Sequence, residues 1–276
     1  MSAGIRRIRR GQAGWPACFE TLGGDAPAAI FVRGDVSLLG ARAVAVVGTR
    51  ECSGEGWDWT HAAAGRLAEE GFVVVSGLAR GIDAAAHRGA LDASGDTVCV
   101  LGCGADVAYP EENAELLERV AAAGCVVSEH EPGTQPKPWH FPRRNRLIAA
   151  LSEAVVVVES RVRSGALVTA RLALDLGKEV FVVPGWPTSP LSAGPLALLR
   201  DGARPVRGAE DLLEDLGGIG ASPLPPPEHA DSLDAVRSGV SSPAELARAL
   251  GLDPAEARER WAALELLGVV ARVGSS

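Results

Sequence analysis

Six short apolar runs, rich in β-branched residues, recur along the middle of the chain: AVAVVG (43–48), FVVVSG (72–77), TVCVLG (97–102), CVVSE (125–129), AVVVVES (154–160) and EVFVVPG (179–185). Their apolar content is nearly continuous and does not alternate with polar positions. That is the pattern of strands covered on both faces, and so of a parallel sheet. The segments between them carry helical signals. WDWTHAAAGRLAEEG and PEENAELLERVAAAG each end on a glycine suited to a helix terminus, and the second opens with Pro110 and two acids, which suit the positive end of a helix. ALVTARLALDLGKE ends in the same way at Gly177. Strands alternating with helices of this length predict an α/β fold with a doubly wound, mostly parallel sheet.

Residues 217–231, GGIGASPLPPPEHAD, can hold neither a helix nor a central strand and read as a Gly/Pro-rich linker. Residues 1–40 read as a lead-in segment, 41–216 as the α/β domain and 232–276 as a small separate domain. In that tail, Ser242 with Pro243 and Asp253 with Pro254 are placed as the caps and first residues of two helices, and the apolar VVARVG follows. Helix, turn, helix and a short strand outline a winged helix. From 228 to 276 there are eight acids against five arginines, which favours an interaction or dimer-modulating role over DNA reading.

Composition narrows the class. With 47% hydrophobic and 22% charged residues the chain is that of an ordinary globular protein. Its five cysteines are odd in number and lack C-x-x-C spacing. They are expected as reduced thiols of a cytoplasmic protein and not as a disulfide frame or metal site. The basic N-terminus lacks the apolar stretch of a signal peptide, and no run approaches the roughly 18–20 apolar residues of a membrane span.

Against a formal net charge of −8, the stretch KPWHFPRRNRLIA (137–149) concentrates Lys137, Arg143, Arg144 and Arg146 around Trp139, His140 and Phe141. From Thr134 to Leu172 seven basic residues face two acids, the asymmetry expected where an anion binds. Pro136, Pro138 and Pro142 predict a stiff, extended, exposed loop there. Aromatic rings exposed beside arginines form a platform for unpaired bases, worth about 1–3 kcal/mol per base. Glycine-rich segments follow four strands: GTRECSG, SGLARGID, GCGADVAYP and ESRVRSGALVTA. Such turns bring backbone N–H groups and helix N-termini to a phosphate. Arg50, Arg80, Arg161 and Arg163 are expected at the same sheet edge. A dinucleotide fingerprint fails, because Val107 stands where the third glycine belongs, and no G-K-[ST] is present. His87, in an Ala-rich helix, reads as a packing residue, and Asp83 and Asp106 as capping or turn residues. No catalytic constellation or cofactor site is legible.

Taken in order, VGTR, SGLARGIDAAAHRGAL, VLGCGADVAYPEEN, SEHEPGT, FPRRNRLIAALS, VVVVESRVRSGALVTARLAL and VFVVPG resemble the DNA-processing protein A (DprA/Smf) family from about residue 44 to 207. The resemblance implies a Rossmann-like domain that binds and protects single-stranded DNA and loads the RecA recombinase in natural transformation. It implies a homodimer with no established enzymatic activity, and many members carry a C-terminal winged helix. Carried over by motif, Arg50, Lys137, Phe141, Arg143, Asn145, Arg146, Ser164, Gly165 and Thr169 would line the DNA site. Arg144 and Trp139 are added from their chemistry. Two departures fall at the rim: Glu55 precedes Gly56 where relatives have an aromatic, and Pro195 stands where an asparagine is usual.

Two further readings compete. One is a phosphoribohydrolase-like enzyme acting on nucleotides. It shares the core, but its P-G-G-x-G-T-x-x-E helix start is replaced here by SGALVTA. The other is a protein-interaction scaffold, which predicts no nucleic-acid binding.

Overall fold

The computed structural model describes residues 4–218, 230–237, 240 and 242–266. The chain divides into two compact units, 1–214 and 215–276.

The first unit is built on a nine-stranded sheet. Its strands are β1 (Arg6–Arg9), β2 (Ala29–Gly34), β3 (Ala43–Val47), β4 (Val73–Ser76), β5 (Thr97–Leu101), β6 (Cys125–Ser128), β7 (Ala154–Val157), β8 (Glu179–Val182) and β9 (Arg204–Pro205). The order across the sheet is β1-β2-β6-β5-β4-β3-β7-β8-β9. All six apolar runs form strands, and β3 to β8 pair in parallel with one another. Their side chains are buried on both faces, apart from Glu179 at the start of β8, which is why the runs lack alternation.

Helices α1 (Gly54–Glu69), α2 (Ile82–Asp92), α3 (Ala114–Ala123), α4 (His140–Leu151), α5 (Gly165–Asp175), α6 (Ala193–Arg200) and α7 (Ala209–Gly218) connect the strands or follow them. The fold is a Rossmann-like α/β architecture, as the strand pattern predicts. From β3 the chain steps outward through β4, β5 and β6, then returns to add β7 and β8 on the other side of β3. The strand order reverses between β3 and β7, and a crevice opens beyond the carboxyl ends of strands at such a point.

Three expectations need correction. Residues 1–40 are not merely a lead-in, because β1 and β2 join the sheet antiparallel. Arg6 stands opposite Val32, and Phe31 opposite Ser128. In β1 only Ile8 of RRIR is buried, so a four-residue edge strand leaves almost no apolar signature. The stretch after Trp139 is not an extended loop but α4. Pro142 falls in its first turn, where the backbone N–H has no intrahelical partner to lose. Residues Leu147 to Leu151 are buried and anchor the helix. Finally, α7 runs through Gly217 and Gly218, so the first two residues of the expected linker are helical. The linker positions 219–229 lie outside the described residues.

The second unit contains α8 (Ala230–Arg237), α9 (Pro243–Leu250) and α10 (Pro254–Leu266). The Ser242 hydroxyl caps α9 by accepting from the Glu245 N–H at 3.3 Å, and Pro243 takes the first helical position. Asp253 accepts from the Ala255 N–H at 2.9 Å at the start of α10. Leu246, Ala257, Trp261 and Leu264 form the buried side of this unit. The segment 269–274, expected as the strand of a winged helix, lies outside the described residues. No helix among the described residues is long and apolar enough to cross a membrane.

Candidate nucleic-acid interface

The crevice at the β3/β7 switch point holds a cleft of about 650 Å³. Its lower walls are the turns after the strands: Gly48, Thr49 and Arg50 after β3, Ala79 after β4, Tyr109 after β5, and Arg161, Arg163, Ser164 and Gly165 after β7. Its side wall is one face of α4, made by Phe141, Arg144, Asn145 and Ile148. That spacing of three, four and seven residues places all four on one stripe of a helix. Gly165, Ala166 and Thr169 of α5 close the far side, and Lys137 stands at the entrance.

Close packing fixes the turns. The Thr49 N–H donates to the Glu159 carbonyl oxygen at 2.7 Å, joining the β3 and β7 turns. A Cβ on Gly48 would lie 2.8 Å from the Ile82 Cβ and 3.0 Å from the Glu159 carbonyl oxygen, so that glycine is required by the approach of α2. The Glu159 carboxylate accepts from the Ser53 N–H at 2.9 Å and the Ser53 hydroxyl at 2.6 Å. Satisfied in this way, the one acid of the 159–163 turn is occupied with α1.

The helix start at Gly165 is bare. Ser164 holds the N-cap position, but its hydroxyl makes no capping bond and pairs instead with the Ser160 hydroxyl. The Gly165 carbonyl oxygen accepts from Asn145 Nδ2 at 3.1 Å and from the Thr169 hydroxyl at 3.3 Å. A Cβ at position 165 would meet only Asn145 Nδ2, at 3.9 Å. The first N–H groups of α5 therefore end in open cleft, carrying the partial positive charge of the helix.

Cations surround this helix start. Arg50, Lys137, Arg161 and Arg163 are exposed, and none forms an ion pair with a carboxylate among the described residues. The Arg50 guanidinium carbon lies 5.7 Å from the centre of the Phe141 ring, within cation–π range. The Tyr109 and Phe141 rings stand 5.2 Å apart, inclined at 31°. Lys137 Nζ lies 5.5 Å from the centre of the Trp139 ring. Glu51 and Asp83 are the acids in the lining.

The arginines of the 143–146 run divide by helix face. Arg143 is exposed. Arg144 is buried in the cleft wall, where Nη1 donates to the Gly77 carbonyl oxygen at 3.0 Å and to that of Val100. Burial pulls its pKa down, with Asp83 opposing. Burial likewise raises the Asp83 carboxyl, against the charge of Arg144. Arg146 lies outside the cleft lining. Its guanidinium forms a two-pronged pair with Glu129, Nη1 to Oε1 and Nη2 to Oε2, each at 2.8 Å, while Nε donates to the Asp25 carbonyl oxygen at 2.9 Å. For Glu129, burial favours the neutral acid, but the bond and charge of Arg146, aided by Arg143, outweigh it and hold the pKa below the ordinary range.

The cleft thus gathers Arg50, Lys137, Phe141, Arg144, Asn145, Ser164, Gly165 and Thr169 from the residues expected at the site. It leaves Trp139, 65% exposed, and Arg143 outside the lining. Tyr109 was not among the expected residues. It is the chain's single tyrosine, in the turn after the third apolar run, and that position at the sheet edge was the available signal.

These features define the class as a Rossmann-like α/β protein whose switch-point crevice carries a bare helix start, unpaired cations and an aromatic pair, a chemistry that suits an anionic ligand. The chain belongs to the DNA recombination-mediator protein A family, whose model matches residues 6–217. It is 42% identical to the DNA processing protein DprA of Bacillus subtilis over 193 residues, covering 70% of this chain and 65% of that protein. It is 39% identical over 293 aligned positions to a putative DNA processing protein DprA of Mycobacterium tuberculosis, covering 98% of this chain and 75% of the relative. Among solved structures, it matches DNA processing protein A of Streptococcus pneumoniae with a TM-score of 0.73 and 39% identity, over 77% of this chain and 74% of that one. It matches DNA processing protein A of Helicobacter pylori, described for its single-stranded DNA binding mode, with a TM-score of 0.70 and 31% identity, over 77% of this chain and 95% of that one.

Proposed function

We propose that this protein is a cytoplasmic recombination mediator that binds and protects single-stranded DNA and delivers it to the RecA recombinase, acting by binding and not by catalysis. The observation that carries the reading is the bare N-terminus of α5 opening into a cleft ringed by Arg50, Lys137, Arg161 and Arg163 beside the Tyr109–Phe141 pair. Phosphates sit at the helix start and the arginines, while bases stack on the rings. A duplex would keep its base faces stacked and out of reach. In this account Arg144 and Arg146 act as framework residues: the first holds the sheet edge against α4, the second fixes α4 to the strand ends. Trp139 and Arg143 lie at the rim and meet the strand as it leaves the cleft. Homodimerisation and a partner-binding role for the C-terminal unit, built as a winged helix, complete the proposal.

The test is fluorescence anisotropy of labelled oligothymidine across a salt series, with unlabelled duplex as competitor. Neutralising about four phosphates predicts a log–log salt slope near −3 for a single strand. Binding that duplex cannot displace supports the reading, and delivery is then measured as acceleration of RecA filament formation. Absence of binding at low salt would sink it. Release of free base from a nucleotide would favour the phosphoribohydrolase alternative instead.

A further inference from the structure

Beyond the start of α5, a second groove of about 510 Å³ runs along the outer face of that helix. It shares Arg163, Ser164 and Gly165 with the central cleft and continues past Val162 and Val168 to Arg171. Val162 is 59% exposed and Val168 37%, and Arg171 is also exposed. Neither Arg163 nor Arg171 pairs with a carboxylate among the described residues. From Gly165 to Arg171 the helix rises about 9 Å, with Arg163 two residues before its start, so the groove places a cation at each end of a short apolar floor.

We propose that this groove is a second subsite, which receives the single strand as it leaves the central cleft across the N-terminus of α5. The inference rests on the single-strand reading of that cleft. Single-stranded nucleic acid asks for two things of a surface: cations spaced along its backbone, and apolar faces against which bases and sugars lie. Arg163 and Arg171 supply the first, Val162 and Val168 the second. The shared residues make the path continuous, so a strand anchored at Gly165 enters the groove without a turn. Arg163 serves both subsites, and Arg171 only the outer one.

Oligothymidines of about 5 and about 15 nucleotides separate the two subsites, since single-strand sites span about 4–16 nucleotides. With Arg171→Glu, the long oligonucleotide is expected to bind about fivefold more weakly, with a salt slope shallower by roughly 0.7, while the short one binds as to wild type. Val168→Asp, at an exposed position, is expected to weaken only the long oligonucleotide. If both variants bind the long oligonucleotide with wild-type affinity and slope, the inference is overturned while the central reading stands. It is overturned equally if Val168→Asp changes the sedimentation mass of the free protein and leaves DNA affinity alone, which would mark the face as a contact between copies. If the wild type binds neither oligonucleotide, the single-strand reading itself falls, and this inference with it.

Discussion

The Arg144 guanidinium lies against the Gly77 backbone, donating through Nη1 to the Gly77 carbonyl oxygen at 3.0 Å. A Cβ on Gly77 would come within 2.6 Å of the guanidinium carbon. The two residues lie 67 positions apart and depend on each other: a basic side chain closes the end of β4, and the absence of a side chain makes room for it. Gly77→Ala is therefore expected to destabilise the first unit by about 1–3 kcal/mol, the usual cost of overpacking. The check is the urea midpoint of unfolding. An unchanged midpoint would mean that Arg144 relocates freely.

Arg50 and Phe141 are expected to separate the electrostatic and stacking parts of binding. Arg50→Ala should weaken oligothymidine binding and make the salt slope shallower by roughly 0.7, with stability within about 0.5 kcal/mol of wild type because the residue is exposed. Phe141→Leu keeps bulk against Gly102, whose added Cβ would stand 3.0 Å from the ring, and removes the aromatic face. It should lose about 1–3 kcal/mol of binding with the salt slope unchanged. Anisotropy titrations at several salt concentrations read both.

The Glu129–Arg146 pair has side chains only 8% and 9% exposed. Glu129→Ala leaves a buried guanidinium without its carboxylate and is expected to cost about 3–5 kcal/mol. Because the folded carboxyl has a lowered pKa, its contribution is present above the unfolded value near about 4.3 and lost as pH falls through the folded one. Thermal melts of wild type and variant should therefore converge at acid pH.

His87 gives a different pH window. It is fully buried, its Nδ1 lies 2.7 Å from the Thr97 hydroxyl, and burial, with Arg144 adding to it, pushes its pKa down to about 3. Below about 6.5 the unfolded chain takes up a proton that the folded protein refuses, so stability falls from there down to the folded value. Between about pH 6 and 5 the slope from this group approaches about 1.4 kcal/mol per unit. In His87→Gln that component of the slope should vanish, as read by urea titrations at each pH. An identical slope in the variant would assign the effect to another group.

The sequence by itself determined the six parallel strands, because burial on both faces writes an uninterrupted apolar run. It also determined the caps of α9 and α10, at Ser242 and Asp253, since capping is local chemistry. The proposed class of ligand likewise rests on signals already in the sequence, the glycine-rich strand ends and the local excess of cations. Only the tertiary structure decided which cation does what. Successive residues of α4 are turned by about 100° from one another, so Arg144 points into the cleft wall while Arg146, three positions beyond Arg143, turns with it toward Glu129. The sequence showed a run of like charges, but not the carboxylate or the carbonyl oxygens that wait on each face. It could not show that β1 and β2 complete the sheet, because their pairing with each other and with β6 is non-local and an edge strand needs few apolar residues. Nor could it place Tyr109 beside Phe141. That meeting exists only because the turn after β5 and the first turn of α4 converge at the same end of the sheet.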